Sequence, residues 1–385
     1  MADSDLKRIL ILTADAGFGH RSAADAIAAA LREVYADGCA VDIVNPLDDR
    51  RVPIFLRESQ TDYDKLVRKM PELYRFGYET SDTTAISKVI DGALVVMLFE
   101  VLADLVRKHR PDVIVTTYPL YQSPLSTYYG VFGKRIPIIT VVTDLATVHR
   151  VWFHRGCDLC IVPTEAVRAL ALEYHLPPRK VKVVGIPVNP NFARRDQDKA
   201  ALRAELGWRA DLTTALVVGS KRVRNLRDVL RALNHARLPL QLAIVAGGDE
   251  ALYNDLAGME WHTEAHLYRL VKNMPTLMHA ADCVVSKAGG LIVSETLATG
   301  LPMVLVDVLP GQETGNAEYV VDNDAGEWVQ DPLGVLETLY HWLDQDGRLL
   351  AEKARNAQHL GRPQAAYDIA DLVWEAAART KPAAQ

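Results

Sequence analysis

Cysteine is scarce in this chain. Four in 385 residues, Cys39, Cys157, Cys160 and Cys283, are too few for a disulfide framework and suit a reducing cytosol. A surplus of basic charge is also missing: 43 Lys and Arg stand against 49 Asp and Glu, a net charge of −6. No electrostatic footprint for nucleic acid is present, so no such partner is expected. Long apolar runs are absent too. The longest, residues 93–99, falls far below the roughly 20 residues that a transmembrane helix needs, so no membrane span is expected. The first apolar run, residues 9–12, is too short for a secretory signal and leads straight into a glycine-rich turn, so none is expected. There is no internal repeat, and no low-complexity tract beyond the short tail at 381–385.

What remains is ordinary for a soluble globular enzyme, with 49% hydrophobic and 24% charged residues. The length exceeds a single core, which favours two domains of about 190 residues each. Strand patterns at 8–13, 40–45, 112–117, 136–143, 159–163 and 180–184 alternate with helical ones, among them an Ala-rich helix to about residue 36 and a helix from 164 to about 174. Residues 51–110 break that rhythm and read as two or three amphipathic helices. Residues 185–198 (GIPVNPNFARRDQD) have the composition of a linker. Alternation resumes with strands at 213–219, 240–246, near 265–271, at 283–286 and at 303–306. The expected class is α/β, with two Rossmann-like parallel-sheet domains facing a central cleft. The expected boundaries are 1–190, 191–362, and a segment 363–385 whose helix, about 364–378, packs back toward the N-terminal domain.

Residues 286–316 (SKAGGLIVSETLATGLPMVLVDVLPGQETGN) carry the densest chemistry. A helix opened by Gly289 and Gly290 leaves backbone N–H groups to receive an anion. Glu295, one turn further in, can accept hydrogen bonds from two neighbouring sugar hydroxyls. Gln312, Glu313 and Asn316 follow the next strand, at the end where ligands sit in open α/β sheets. Elsewhere in this half, Gly219-Ser220-Lys221-Arg222 follows the first strand, so Lys221, Arg222 and Arg224 either neutralise a diphosphate or are plain surface. Gly247-Gly248 allows a base or ribose to approach the backbone.

In the first half, residues 14–21 (ADAGFGHR) hold G-x-G without the third glycine of a dinucleotide site. Gly17 and Gly19 permit a tight turn, and His20 falls at a helix N-terminus, where the dipole keeps it neutral. There it either takes a proton from an acceptor hydroxyl or caps its own helix. Residues 143–154 (TDLATVHRVWFH) add Asp144, able to orient His20 or act as base itself. His149 and Trp152 could meet a sugar ring. The set His149, His154, Cys157 and Cys160 does not have a standard zinc spacing, and D-x-D triplets at 196–198, 322–324 and 344–346 fall in a linker, at a helix end and in a turn. No catalytic metal is expected. Residues 51–66 and 86–107 offer Ile54, Phe55, Leu56, Val89, Ile90, Leu94, Val95, Met97, Leu98 and Phe99. These either pack on the domain or dip into an anionic membrane surface, with Arg50, Arg51, Arg57, Lys65, Arg68 and Lys69 on lipid phosphates. Acidic neighbours dilute that second reading.

Taken together, the chain resembles the glycosyltransferase family containing plant monogalactosyldiacylglycerol synthases, bacterial processive diacylglycerol glucosyltransferases and, more distantly, MurG. The resemblance rests on residues 9–27, 141–154, 158–167, 183–192 and, above all, 286–326, and covers most of the chain. It implies a GT-B fold, a UDP-hexose bound mainly by the C-terminal domain, a lipid acceptor, and inversion without an essential metal or other cofactor. By the same resemblance His20 is the base or places the acceptor hydroxyl, Glu295 contacts ribose, and Gly311, Gln312 and Glu313 contact the donor sugar. It further implies a cytoplasmic enzyme peripherally associated with the inner face of the cell membrane. The chain departs from the family's glycine-rich turn at 219–222, where side chains rather than backbone could hold the diphosphate. A UDP-sugar 2-epimerase of the same fold and a non-catalytic nucleotide-sugar or lipid-binding module are the alternatives.

Overall fold

A computed structural model describes residues 6–15, 19–57, 84–133, 136–194, 198–220, 223, 225–309 and 313–380; from 84 to 91 it describes the backbone alone. The chain divides into two compact units, Met1–Pro190 with Gln364–Gln385, and Asn191–Pro363. Each contains a six-stranded parallel sheet.

The strands of unit 1 are β1 (Lys7–Leu12), β2 (Cys39–Val44), β3 (Val113–Thr116), β4 (Ile138–Val141), β5 (Leu159–Val162) and β6 (Val181–Val183), laid out as β2-β1-β3-β4-β5-β6. Helix α1 (Gly19–Tyr35) follows β1, and its alanines at 23, 24, 26, 28 and 30 are buried. Alanine is the best helix former, and its small side chain allows close packing on both sides. Helix α2 (Thr84–His109) precedes β3, and α3 (Gln122–Phe132) follows it. Helix α12 (Ala365–Arg379), last in the chain, belongs to this unit and lies along α1. Tyr35 stacks on Trp374 with centroids 4.3 Å apart, and the Tyr35 hydroxyl donates to Asp371 at 2.7 Å.

Unit 2 runs β7 (Thr213–Val218), β8 (Leu240–Val245), β9 (Ala265–Tyr268), β10 (Cys283–Ser286), β11 (Met303–Leu305) and β12 (Gly326–Trp328), in the order β12-β11-β10-β7-β8-β9. Helix α9 (Gly290–Ala298) joins β10 to β11, and α10 (Thr314–Asp322) joins β11 to β12. The sequence reading missed β12. In each sheet the chain leaves its first strand in one direction and later returns to its other side. The reversal falls between β1 and β3 in unit 1 and between β7 and β10 in unit 2. Beyond the carboxyl ends of such strand pairs an open α/β sheet leaves room for a ligand.

Four features of the sequence reading meet direct structural description. Cys157 and Cys160 are buried, and burial pushes the Cys157 thiol up to about 11 and Cys160 well above its ordinary value. Extended Asp344 and left-handed residues 345–347 break the helix Pro332–Leu360, and Asp322 ends α10. The apolar face of unit 1 is divided. Leu94 and Leu98 are buried, whereas Ile54, Phe55, Val96, Val131 and Phe132 are exposed, and Phe99 stacks on Phe132 at 6.3 Å. Arg51 is already engaged by Asp49 and Asp104. Val89 and Ile90, with Lys65, Arg68 and Lys69, are outside the described side chains. No helix among the described residues is long and apolar enough to cross a membrane.

Candidate functional site

Three strands of unit 1 run into threonines: Thr13 after β1, Thr117 after β3 and Thr143 after β4. His20, in the first turn of α1, comes down on two of them. Its Nδ1 lies 2.9 Å from the Thr117 carbonyl and 2.7 Å from Thr143 Oγ1. A carbonyl oxygen can only accept, so Nδ1 carries the ring proton and Nε2 is the basic nitrogen. Thr117 Oγ1 donates to Thr13 Oγ1 at 2.9 Å, and Tyr121 donates to the Thr13 carbonyl at 2.9 Å, which ties the strand ends together beneath the ring. Tyr118 meets the imidazole edge-on at 5.0 Å. The threonines were legible as a recurring hydroxyl at strand ends, yet the sequence reading did not single them out.

Asp144 acts on His20 through its charge and through a neighbour. Its Oδ2 accepts the indole N–H of Trp152 at 2.8 Å, and the Trp152 ring lies 6.0 Å from the imidazole. Trp152 is only 2% exposed. The indole is a buried wall beside His20, its polar edge held by Asp144 and its ring packed in the core. His149 caps the turn at 150–152, accepting Val151 N–H at 3.2 Å. Burial lowers the His20 pKa from 6.5, while the Asp144 charge and the Thr117 carbonyl oppose that shift. An Asp144→Asn variant keeps an acceptor for Trp152 and removes the charge. Its acid limb of activity is expected to move to lower pH, with turnover about ten-fold slower because the base is weaker. A pH–rate profile reads both. Gly19 opens α1, and among the described residues nothing crowds the place a β-carbon would take there; Gly17 is outside the described residues.

In unit 2, Gly219 follows β7 and donates its N–H to the Val245 carbonyl at 2.8 Å. Gly247, after β8, has φ +64°, and a β-carbon there would lie 2.1 Å from the Gly219 carbonyl oxygen. The loops after β7 and β8 thus touch through bare backbone. A Gly247→Ala variant pays both for left-handed backbone and for overlap, about 3 kcal/mol together, and is expected to lower the thermal midpoint and weaken nucleotide binding. Ser220 is described, whereas Lys221, Arg222, Arg224, Gly311 and Gln312 are outside the described residues.

Gly289 caps α9 in an extended conformation and Gly290 begins it. The N–H groups of residues 290–292 have no acceptor within the helix. Glu295 follows in the second turn. Among the described residues its carboxyl has no hydrogen-bond or ion-pair partner, and burial pushes its pKa up to about 8. Glu313 is 5% exposed, pairs with Lys287, and accepts Leu309 N–H at 3.2 Å. Asn316 donates Nδ2 to the Ala288 carbonyl at 2.9 Å. Lys287 was not singled out from the sequence. A lone lysine beside a glycine pair gives no hint of a carboxylate 26 residues away.

Comparisons with known proteins bear on these groups. The family model of monogalactosyldiacylglycerol (MGDG) synthase matches residues 20–188, and that of the glycosyltransferase family 28 C-terminal domain matches residues 214–373. A probable chloroplastic monogalactosyldiacylglycerol synthase 2 of Oryza sativa subsp. japonica is 32% identical over 94% of this chain and 79% of its own length. The chloroplastic monogalactosyldiacylglycerol synthase of Spinacia oleracea is 32% identical over 94% and 71%. The crystal structure of Acinetobacter baumannii MurG superposes with a TM-score of 0.62 at 16% identity, covering 96% of this chain and 99% of MurG. Anabaena HepE in complex with UDP-glucose gives 0.55 at 14%, covering 96% and 98%. These two likenesses establish the GT-B fold. The rice and spinach relatives are chloroplastic by name, which overturns the expected cytoplasmic location at the inner face of the cell membrane. A low cysteine count speaks only to disulfides and does not distinguish one thiol-preserving compartment from another. The chain belongs to the monogalactosyldiacylglycerol synthase family and is a glycosyltransferase that transfers a hexose in glycolipid synthesis.

Proposed function

We propose that the enzyme moves a hexose from a UDP-sugar to a lipid hydroxyl, that of diacylglycerol, with inversion at the anomeric carbon. The observation that carries this reading is the commitment of His20 Nδ1 to the Thr117 carbonyl, which leaves Nε2 as a neutral base. The acceptor oxygen attacks the anomeric carbon as the bond to the diphosphate oxygen breaks. His20 Nε2 takes the hydroxyl proton, and UDP departs with the bonding electrons. Charge developing on the leaving group is met by the α9 N-terminus at Gly289-Gly290, with Lys221 and Arg222 in the same role. Glu295 receives the ribose hydroxyls. No metal or cofactor enters this scheme. The activity for which the rice and spinach relatives are named supports the galactolipid product. The exposed Ile54, Phe55, Val96, Val131 and Phe132 support attachment of unit 1 to an anionic membrane surface, where the acceptor resides.

The test is incubation of the purified chain with labelled UDP-galactose or UDP-glucose and diacylglycerol in anionic or neutral vesicles, with and without chelator. A labelled monohexosyl lipid, formed in chelator and faster on anionic vesicles, is the expected result, and its anomeric configuration by NMR checks inversion. Release of a 2-epimer with no lipid product overturns the reading in favour of an epimerase. Tight UDP binding with neither product marks a binding module.

A further inference from the structure

Lys287 and Glu313 form a largely buried ion pair in unit 2, their side chains 18% and 6% exposed. The pair stands at the mouth of α9. A β-carbon placed on Gly289 would be 3.0 Å from Lys287 Nζ and 3.6 Å from Glu313 Oε1. Lys287 and the helix N-terminus therefore direct positive potential at one place. Glu313 supplies the negative charge there, with its second oxygen fixed by Leu309 N–H. A further buried polar group lies beside the pair. Asn316 is 3% exposed and donates to Ala288, the residue between Lys287 and Gly289. Its Oδ1 is buried with no partner among the described residues.

We propose that Glu313 is a stand-in anion, and that a nucleoside diphosphate displaces it from Lys287. The inference rests on the reading of the enzyme as UDP-sugar-dependent. A diphosphate oxygen can engage Lys287 and the first-turn N–H groups together, through charge-assisted hydrogen bonds. A carboxylate left beside that diphosphate would face like charge. The exchange thus moves the ammonium to the phosphate and frees Glu313 to accept hydrogen bonds from hydroxyls of the donor sugar. Lys287 becomes a donor-binding residue, and Glu313 a sugar-binding residue available only once the diphosphate is seated.

Titration calorimetry of the full chain with UDP and with uridine tests the exchange. Lys287→Gln is expected to weaken UDP about 30-fold and to leave uridine within about two-fold. Glu313→Gln removes the competing anion at constant shape. It is expected to tighten UDP about five-fold and to lower kcat/KM for the UDP-hexose at least ten-fold. Opposite signs on UDP affinity from the two halves of one pair support the proposal. Lys287→Arg keeps the charge and is expected to hold UDP affinity within a few-fold of wild type; a loss equal to that of Lys287→Gln overturns the proposal. So does UDP affinity unchanged in Lys287→Gln, or lowered alike by Lys287→Gln and Glu313→Gln with matching drops in melting temperature, the mark of a purely structural pair. If wild type binds neither UDP nor uridine, the donor assignment itself falls and takes the exchange with it; wild-type binding with unmoved variants removes the exchange alone.

Discussion

Replacing His20 by alanine is expected to lower kcat/KM for hexose transfer by about 10²–10⁴-fold, the usual range for loss of a positioned base. UDP affinity should stay within about two-fold, because no donor group of unit 2 is touched. The pH profile separates a base from a merely structural histidine. Transfer needs neutral His20, so wild-type activity is present at high pH and falls as pH drops through the His20 pKa. Burial places that pKa below 6.5, so the acid limb should lie on the acid side of an ordinary histidine. In His20→Ala the limb should vanish. An unchanged limb, or unchanged turnover, would remove His20 from the mechanism. The same shift has a stability sign. Below pH 6.5 the unfolded chain takes up a proton that the folded chain resists, so stability falls with pH until the lowered folded pKa is reached.

Nucleotide binding should release a proton through Glu295. Burial pushes the carboxyl up to about 8, against 4.5 ordinarily, because it penalises the charge and no partner among the described residues offsets it. Two ribose hydroxyls donating to the carboxylate favour the ionised form. From about pH 5 to pH 8, UDP affinity should therefore rise by up to ~10-fold per unit and flatten above that. Calorimetry in buffers of different ionisation enthalpy measures the proton directly. In Glu295→Gln the proton and the pH dependence should both disappear, and UDP should bind at least ten-fold more weakly than wild type at pH 8.5. The free protein shows the converse. As pH rises from 4.5 to 8, the unfolded chain ionises this group while the folded chain holds it protonated, so wild type loses stability that Glu295→Gln retains. A melting temperature for Glu295→Gln that parallels wild type across that window would show the carboxyl to be solvated.

Strands were readable wherever they were apolar and followed by a turn. Residues 8–13 and 283–286 show this, since a buried parallel strand needs only a short run of Val, Ile and Leu. At three residues, β12 is too short to show any period, and Gly326 gives it a turn-like start. The glycine turns marked where His20 and Glu295 fall, because glycines at a strand end open the helices that carry them. Partners far apart in sequence were not readable. Thr117 reaching His20 across 97 residues, or Glu313 reaching Lys287 across 26, depends on which strands lie side by side. The contacts of Trp152 with Asp144 and of Glu313 with Lys287 were unreadable for the same reason: each functional group meets a partner that the sequence alone does not place beside it.

The last helix has a temporal meaning. Its Ile369, Val373 and Ala377 are fully buried with Ile9, Ile11 and Ile27, so unit 1 closes its core with residues made after all of unit 2. On the ribosome, unit 2 has its whole sequence available first, whereas the older half of the chain must wait with one flank of α1 uncovered. The N-terminal half, although first to emerge, is the last to be finished, and that interval is when a chaperone would find it.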